Sequence, residues 1–125
     1  MVKASALLAE EEVDLLRRAL VEWGGPARCN DQLAAGMGFA DAQDLLDQCD
    51  RLRKELAEDA ALGPADWART LLATEIVFVS DLAGSGADWA TTTGRSDEAT
   101  ITMLRQIQRK LARTVSPFYG KRPTA

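Results

Sequence analysis

Residues Trp67–Leu82 read WARTLLATEIVFVSDL, and their apolar side chains fall on every face of a helical wheel. A helix that is hydrophobic all round is normally buried. The run Ile76-Val77-Phe78-Val79 alone suits a strand as well as a helix. No breaker lies between Pro64 and Gly84, however, and uninterrupted length favours the helix. Pro64 stands at the first helical position, where no amide donor is needed. The stretch 64–82 is therefore predicted to be a central helix, and an all-α fold follows if its neighbours supply helices to surround it.

They do. Upstream, Val13, Leu16, Leu20 and Trp23 step 3, 4 and 3, the stripe of an amphipathic helix. Ser5 is its expected cap, Glu10, Glu11 and Glu12 suit the positive end of its dipole, and Gly24-Gly25-Pro26 stops it. Asn30 is expected to cap a short helix from Asp31 to Met37, ended by Gly38. Asp41 opens a third helix with the stripe Leu45, Cys49, Leu52, Leu56, and Gly63-Pro64 closes it. Downstream, Gly84 is expected to end the central helix. Ser96 is expected to cap a fifth, with the stripe Ile101, Leu104, Ile107, Leu111. The expectation is one bundle of about five helices over 1–115. The segment 116–125, SPFYGKRPTA, reads as a flexible tail.

Composition agrees with a single packed domain. The chain has 125 residues, 46% hydrophobic and 27% charged, enough to bury a core without disulfides or metal. There is no histidine, and the two cysteines, Cys29 and Cys49, form no CxxC pair. A zinc site lacks ligands, and no metal or cofactor is expected. No apolar run approaches the ~20 residues that span a bilayer, and MVKASALLAEEEVDLL lacks the apolar core of a secretion signal. A cytoplasmic protein without membrane contact is expected. The net charge of −4 hides an asymmetry: residues 41–63 carry seven acidic and three basic groups, residues 95–125 seven basic and two acidic.

The stretch Leu33–Leu46, LAAGMGFADAQDLL, resembles a helix-turn-helix, with a small residue four before a turn glycine and a helix on each side. The resemblance implies a DNA-reading second helix. That helix begins with Asp41 and Asp44, continues with Asp47 and Asp50, and has no Arg or Lys before Arg51. Phosphate binding depends on Lys and Arg, so the unit reads better as tri-helical packing at the N-terminal end of the bundle.

Three other features bear on function. Arg105, Arg109 and Arg113 lie at i, i+4 and i+8 with Lys110 beside them, a basic ridge. It suits an acidic partner, the acidic third helix of this chain or of a second copy, or nucleic acid. Glu75 interrupts the most apolar stretch and needs a basic partner such as Arg69, or else a raised pKa that would make it a candidate functional carboxylate. No second group is spaced to act with it. The segment Gly84–Arg95, GSGADWATTTGR, matches neither GxxxxGK[ST] nor GxGxxG. A weak anion nest at Gly94-Arg95-Ser96 is opposed by Asp97 and Glu98. As a connector the segment is longer than the usual 2–8 residues, and Trp89 either anchors it or is offered to a partner.

The function expected from these residues is non-enzymatic: a helical protein–protein interaction or regulatory module, with itself as a homodimer or with another protein. Its candidate partner-binding residues are Trp89, Thr91, Thr92, Thr93, Arg105, Arg109 and Arg113, with Glu75 as a buried functional carboxylate. The alternatives are a nucleic-acid-associated transcriptional regulator with a degenerate helix-turn-helix, and an immunity or antitoxin-type protein presenting its acidic face.

Overall fold

The computed structural model describes residues 1–25 and 27–120. Among the described residues six α-helices carry the fold: α1 (Glu10–Glu22), α2 (Asp31–Gly36), α3 (Ala42–Ala57), α4 (Pro64–Val79), α5 (Trp89–Thr93) and α6 (Asp97–Val115). A short antiparallel pair, β1 (Val2–Lys3) with β2 (Ala61–Leu62), joins Val2 to Leu62 and Lys3 to Ala61. These two-residue strands are too short for any hydrophobic period to announce them.

The apolar helix takes the central place its composition predicts. It packs against α1, α3 and α6, and it buries Trp67, Leu71, Ala73, Val77 and Phe78 among others. α1 shares the centre, touching α3, α4 and α6, with Leu15, Leu16, Ala19 and Leu20 inside. Full burial of each such leucine contributes about 1.5–3 kcal/mol. α4 ends at Val79 rather than Leu82, because the chain at Ser80 turns extended. Ser80 Oγ then accepts the amides of Leu82 (3.2 Å) and Ala83 (3.1 Å), a local turn that competes with further helix.

Three of the expected caps form with their own side chains. Asn30 accepts from the Leu33 amide, Asp41 from Asp44, and Ser96 from Ala99. The cap of α1 is different. The helix starts at Glu10, after Ala9, whose amide donates to Glu12 Oε1 at 2.7 Å. Ser5 instead gives its amide (3.0 Å) and hydroxyl (2.5 Å) to the Asp59 carboxylate, across 54 residues. Asp59 follows the end of α3 with φ 53°, a left-handed conformation that aspartate tolerates better than most residues.

The helix–glycine–helix unit around Gly38 (φ 96°) exists as α2 and α3. Its second helix turns Leu45, Cys49, Leu52 and Leu56 inward and leaves Asp41, Asp47 and Asp50 exposed. These exposed carboxylates oppose the approach of phosphate to this unit. Burial pushes the Cys49 thiol up to about 12, so it acts as core rather than as a nucleophile.

The end of the chain also differs from expectation. Ser116–Phe118 forms a turn of 3-10 helix and Tyr119 packs half-buried against the core, so the tail is held as far as these residues. The expected looseness of 121–125 lies outside the described residues.

Candidate functional site

The residues singled out in the sequence occupy three separate environments. Trp89 is the first, and its ring is fully buried. Its indole N–H donates to Thr100 Oγ1 at 2.8 Å, and Phe78 meets it edge-on at 5.3 Å between centroids. Trp89 is therefore an anchor, and its assignment as a partner contact is corrected: no face of the ring reaches solvent. Thr93 donates to the Trp89 carbonyl at 2.6 Å, and its Oγ1 accepts the Arg95 amide at 3.1 Å. That occupied amide removes the anion nest considered at Gly94-Arg95-Ser96. Thr91 is exposed, while Thr92 is half-buried.

What holds the Ser80–Ser96 connection is a residue the sequence did not single out. Glu22, on the last turn of α1, is 1% exposed. Its Oε1 accepts from Ser85 Oγ at 3.0 Å and from the Thr92 hydroxyl, and its Oε2 faces Arg18 Nη2 at 3.3 Å. Arg18 Nη2 also donates to the Thr92 carbonyl at 2.6 Å. A buried carboxylate needs such donors. The only hint in the sequence was polar character next to a buried tryptophan, since the hydroxyls that satisfy Glu22 lie 63 and 70 positions away.

The second environment is Glu75, at the half-buried edge of α4. Gln108 Nε2 donates to it at 2.6 Å and Tyr119 Oη at 2.7 Å. The expected cation is absent from this contact. Arg69 points elsewhere, its Nε donating to the Gly38 carbonyl at 2.8 Å and its Nη1 lying 3.2 Å from Asp66. Burial, and then the carboxylate it donates to, hold the Tyr119 phenol well above its ordinary range. Tyr119 thus stays a neutral donor, and Glu75 ties the C-terminal segment and α6 to α4. Nothing among its partners is a nucleophile or base.

The third environment is the outer side of α6. Arg105, Arg109 and Arg113 are all exposed, and none forms an ion pair among the described residues. Lys110 is the basic residue that α6 uses internally, reaching the buried Glu12 of α1 at 2.6 Å. The expected pairing of the ridge with the acidic α3 does not occur within the chain. α6 packs on α4 and α1, and α3 pairs two of its acids within the helix, Asp50 with Arg53 (2.6 Å) and Lys54 (2.9 Å) and Glu55 with Arg51 (2.8 Å).

Next to this ridge lies a groove that the stripes did not foretell. It is open, holds about 200 Å³, and runs between the C-terminal half of α4 and the first half of α6. Phe78 and Leu104 form its floor, Val79 and Ile101 its apolar walls, and Glu75 and Arg105 its polar lip. Val79 is 72% and Ile101 43% exposed. Ile101 belongs to the expected buried stripe, but Thr100 takes the inward position because its hydroxyl meets Trp89. On the other side of Glu75 a second hollow of about 160 Å³ is lined by Leu72, Ala68, Met37, Tyr119 and Phe118, the last 57% exposed. Leu72, Glu75 and Val79 step 3 and 4 along α4, so both hollows belong to one face.

Among the described residues no group of three or more His, Cys, Asp or Glu side chains is placed to hold a metal ion, and no helix is long and apolar enough to cross a membrane. Comparison with protein-family models, with curated proteins and with solved structures finds no match to this chain.

Proposed function

We propose that the chain is a non-enzymatic helical module that binds another protein along the α4–α6 face. The observation that carries this reading is the exposure of Val79, Ile101 and Phe118 along one face, around hollows floored by core residues. Single exposed apolar residues are ordinary, whereas apolar residues lining one concave face are characteristic of interaction sites. The hollows are smaller than the ~300–1,000 Å³ typical of small-molecule sites. They suit the side chains of a docked segment instead. Catalysis has less support, because Glu75, the carboxylate nearest the groove, is engaged by Gln108 and Tyr119 in structural roles.

The test is Val79→Asp with Ile101→Asp, assayed by light scattering and by affinity capture from the native cell. Both positions are exposed, so the variant keeps its helical circular dichroism and its melting temperature within a few degrees. Partners captured by the wild type are lost, or a wild-type homodimer becomes a monomer. Undiminished association in the variant would place any interface elsewhere and sink the reading.

A further inference from the structure

The groove has a polarity that says what kind of segment fits it. Arg105, Arg109 and Arg113 stand one above another on α6, about 6 Å apart along the axis. Arg105 forms the lip of the groove, its Nη1 on Gln108 Oε1 at 3.2 Å, and Arg109 and Arg113 follow at i+4 and i+8 on the exposed side of α6. All three are exposed and lack a carboxylate partner among the described residues. An apolar channel thus has one uncompensated arginine on its lip and two more on the exposed surface of the same helix. Resting on the interaction reading above, we propose that the occupant is an amphipathic helical segment of another protein. One edge of it is apolar and lies over Val79 and Ile101. The adjacent edge carries Asp or Glu at i, i+4 and i+7 or i+8, facing the arginines.

Charge and packing select this occupant over its competitors. A second copy would have to offer exposed carboxylates at the start of α1 (Glu10, Glu11, Asp14) or on α3 (Asp47, Asp50). The apolar stripes of both helices are spent in the core, however, leaving only Val21 and Leu46 exposed among their large apolar side chains, and Asp50 is already paired with Arg53 and Lys54. Nucleic acid would meet exposed valine, isoleucine and phenylalanine, with Glu75, Asp97 and Glu98 on the same two helices. Phosphate binding rewards none of these. An acidic helix answers both halves of the face at once: apolar anchors fill the hollows, and rim charges set orientation and association rate.

The experiment is selection from a display library of helix-forming peptides of roughly 16 residues, against the wild-type chain and two variants. Arg105→Glu with Arg109→Glu reverses the ridge; Val79→Asp spoils the groove. Wild type is expected to enrich peptides with apolar residues at i, i+3 or i+4 and i+7 and a net negative charge. Each variant weakens the enriched peptides by about tenfold, and the ridge reversal enriches lysine-bearing peptides in their place. Enrichment without an acidic bias, or affinities unmoved by the charge reversal, would overturn the acidic partner and leave the interaction reading standing. Dimerisation that Val79→Asp abolishes, with no peptide enriched, hands the face to a second copy and overturns the proposal. Binding of a duplex DNA at ~50 mM salt that the ridge reversal abolishes overturns both readings. No enrichment and no self-association also defeats both.

Discussion

At the scale of single residues, the three tryptophans show what a polar handle on a large ring does. Each is buried, and each indole N–H is used: Trp23 on the Ala73 carbonyl (3.1 Å), Trp67 on the Val2 carbonyl (3.2 Å), Trp89 on Thr100. Trp67 holds the N-terminal strand to α4, Trp23 holds α1 to α4, and Trp89 holds the long connection to α6. Truncating Trp89 removes a fully buried ring, and Phe/Trp→Ala changes in cores cost about 3–5 kcal/mol. Trp89→Ala is therefore expected to lower stability by that amount in urea unfolding, and Trp89→Phe by less. A Trp89→Ala chain of wild-type stability would contradict the burial described above.

At the scale of elements, the connection between α4 and α6 is a small folded unit. Its backbone is clamped near its start: the Ser85 amide donates to the Val77 carbonyl (2.7 Å), and the Ala83 carbonyl accepts the Arg28 amide (2.7 Å). Gly84 permits this approach. A Cβ there would lie 2.4 Å from the Val77 carbonyl oxygen and 2.7 Å from its Cα, backbone that cannot swing aside. Gly84→Ala is expected to lower stability by roughly 1–3 kcal/mol, and to raise amide hydrogen exchange selectively across 80–96. A neutral substitution would mean that the clamp is loose. The contrast with the other elements explains what could be read in advance. Caps at Asn30, Asp41 and Ser96 were legible because donor and acceptor lie within three residues. The cap at Ser5 was misread because a distant aspartate claimed its hydroxyl. The connection looked like a spacer because Glu22, Ser85 and Thr92 meet only in three dimensions. The groove was hidden for the same reason: Val79 and Ile101 stay exposed only because of how two separate helices meet.

At the scale of the whole molecule, charge decides how the fold meets acid. Three aspartates hold folded pKa values below the ordinary 3.8. The Ala40 amide and then Gln48 lower Asp44; Lys54 and then Arg53 lower Asp50; the Ser5 hydroxyl and then its amide lower Asp59. A carboxyl depressed in the folded state contributes its stability in full above 3.8 and loses it as pH falls through the lower folded value. Protonation also strips 19 acidic groups from a chain with 15 Lys and Arg, leaving a strongly cationic surface. Melting temperature is expected to hold nearly level from about pH 7 to pH 5 and to fall steeply below about pH 4. A flat profile down to about pH 2.5 would show that these contacts are energetically idle. The tryptophan staples bring a spectroscopic consequence. With all three indoles shielded from water, native emission is blue-shifted and resists acrylamide quenching. Versions of the chain that keep one tryptophan each, with phenylalanine at the other two positions, would then report separately on the N-terminal strand, the α1–α4 contact and the clamped connection, and so give the order in which they come apart.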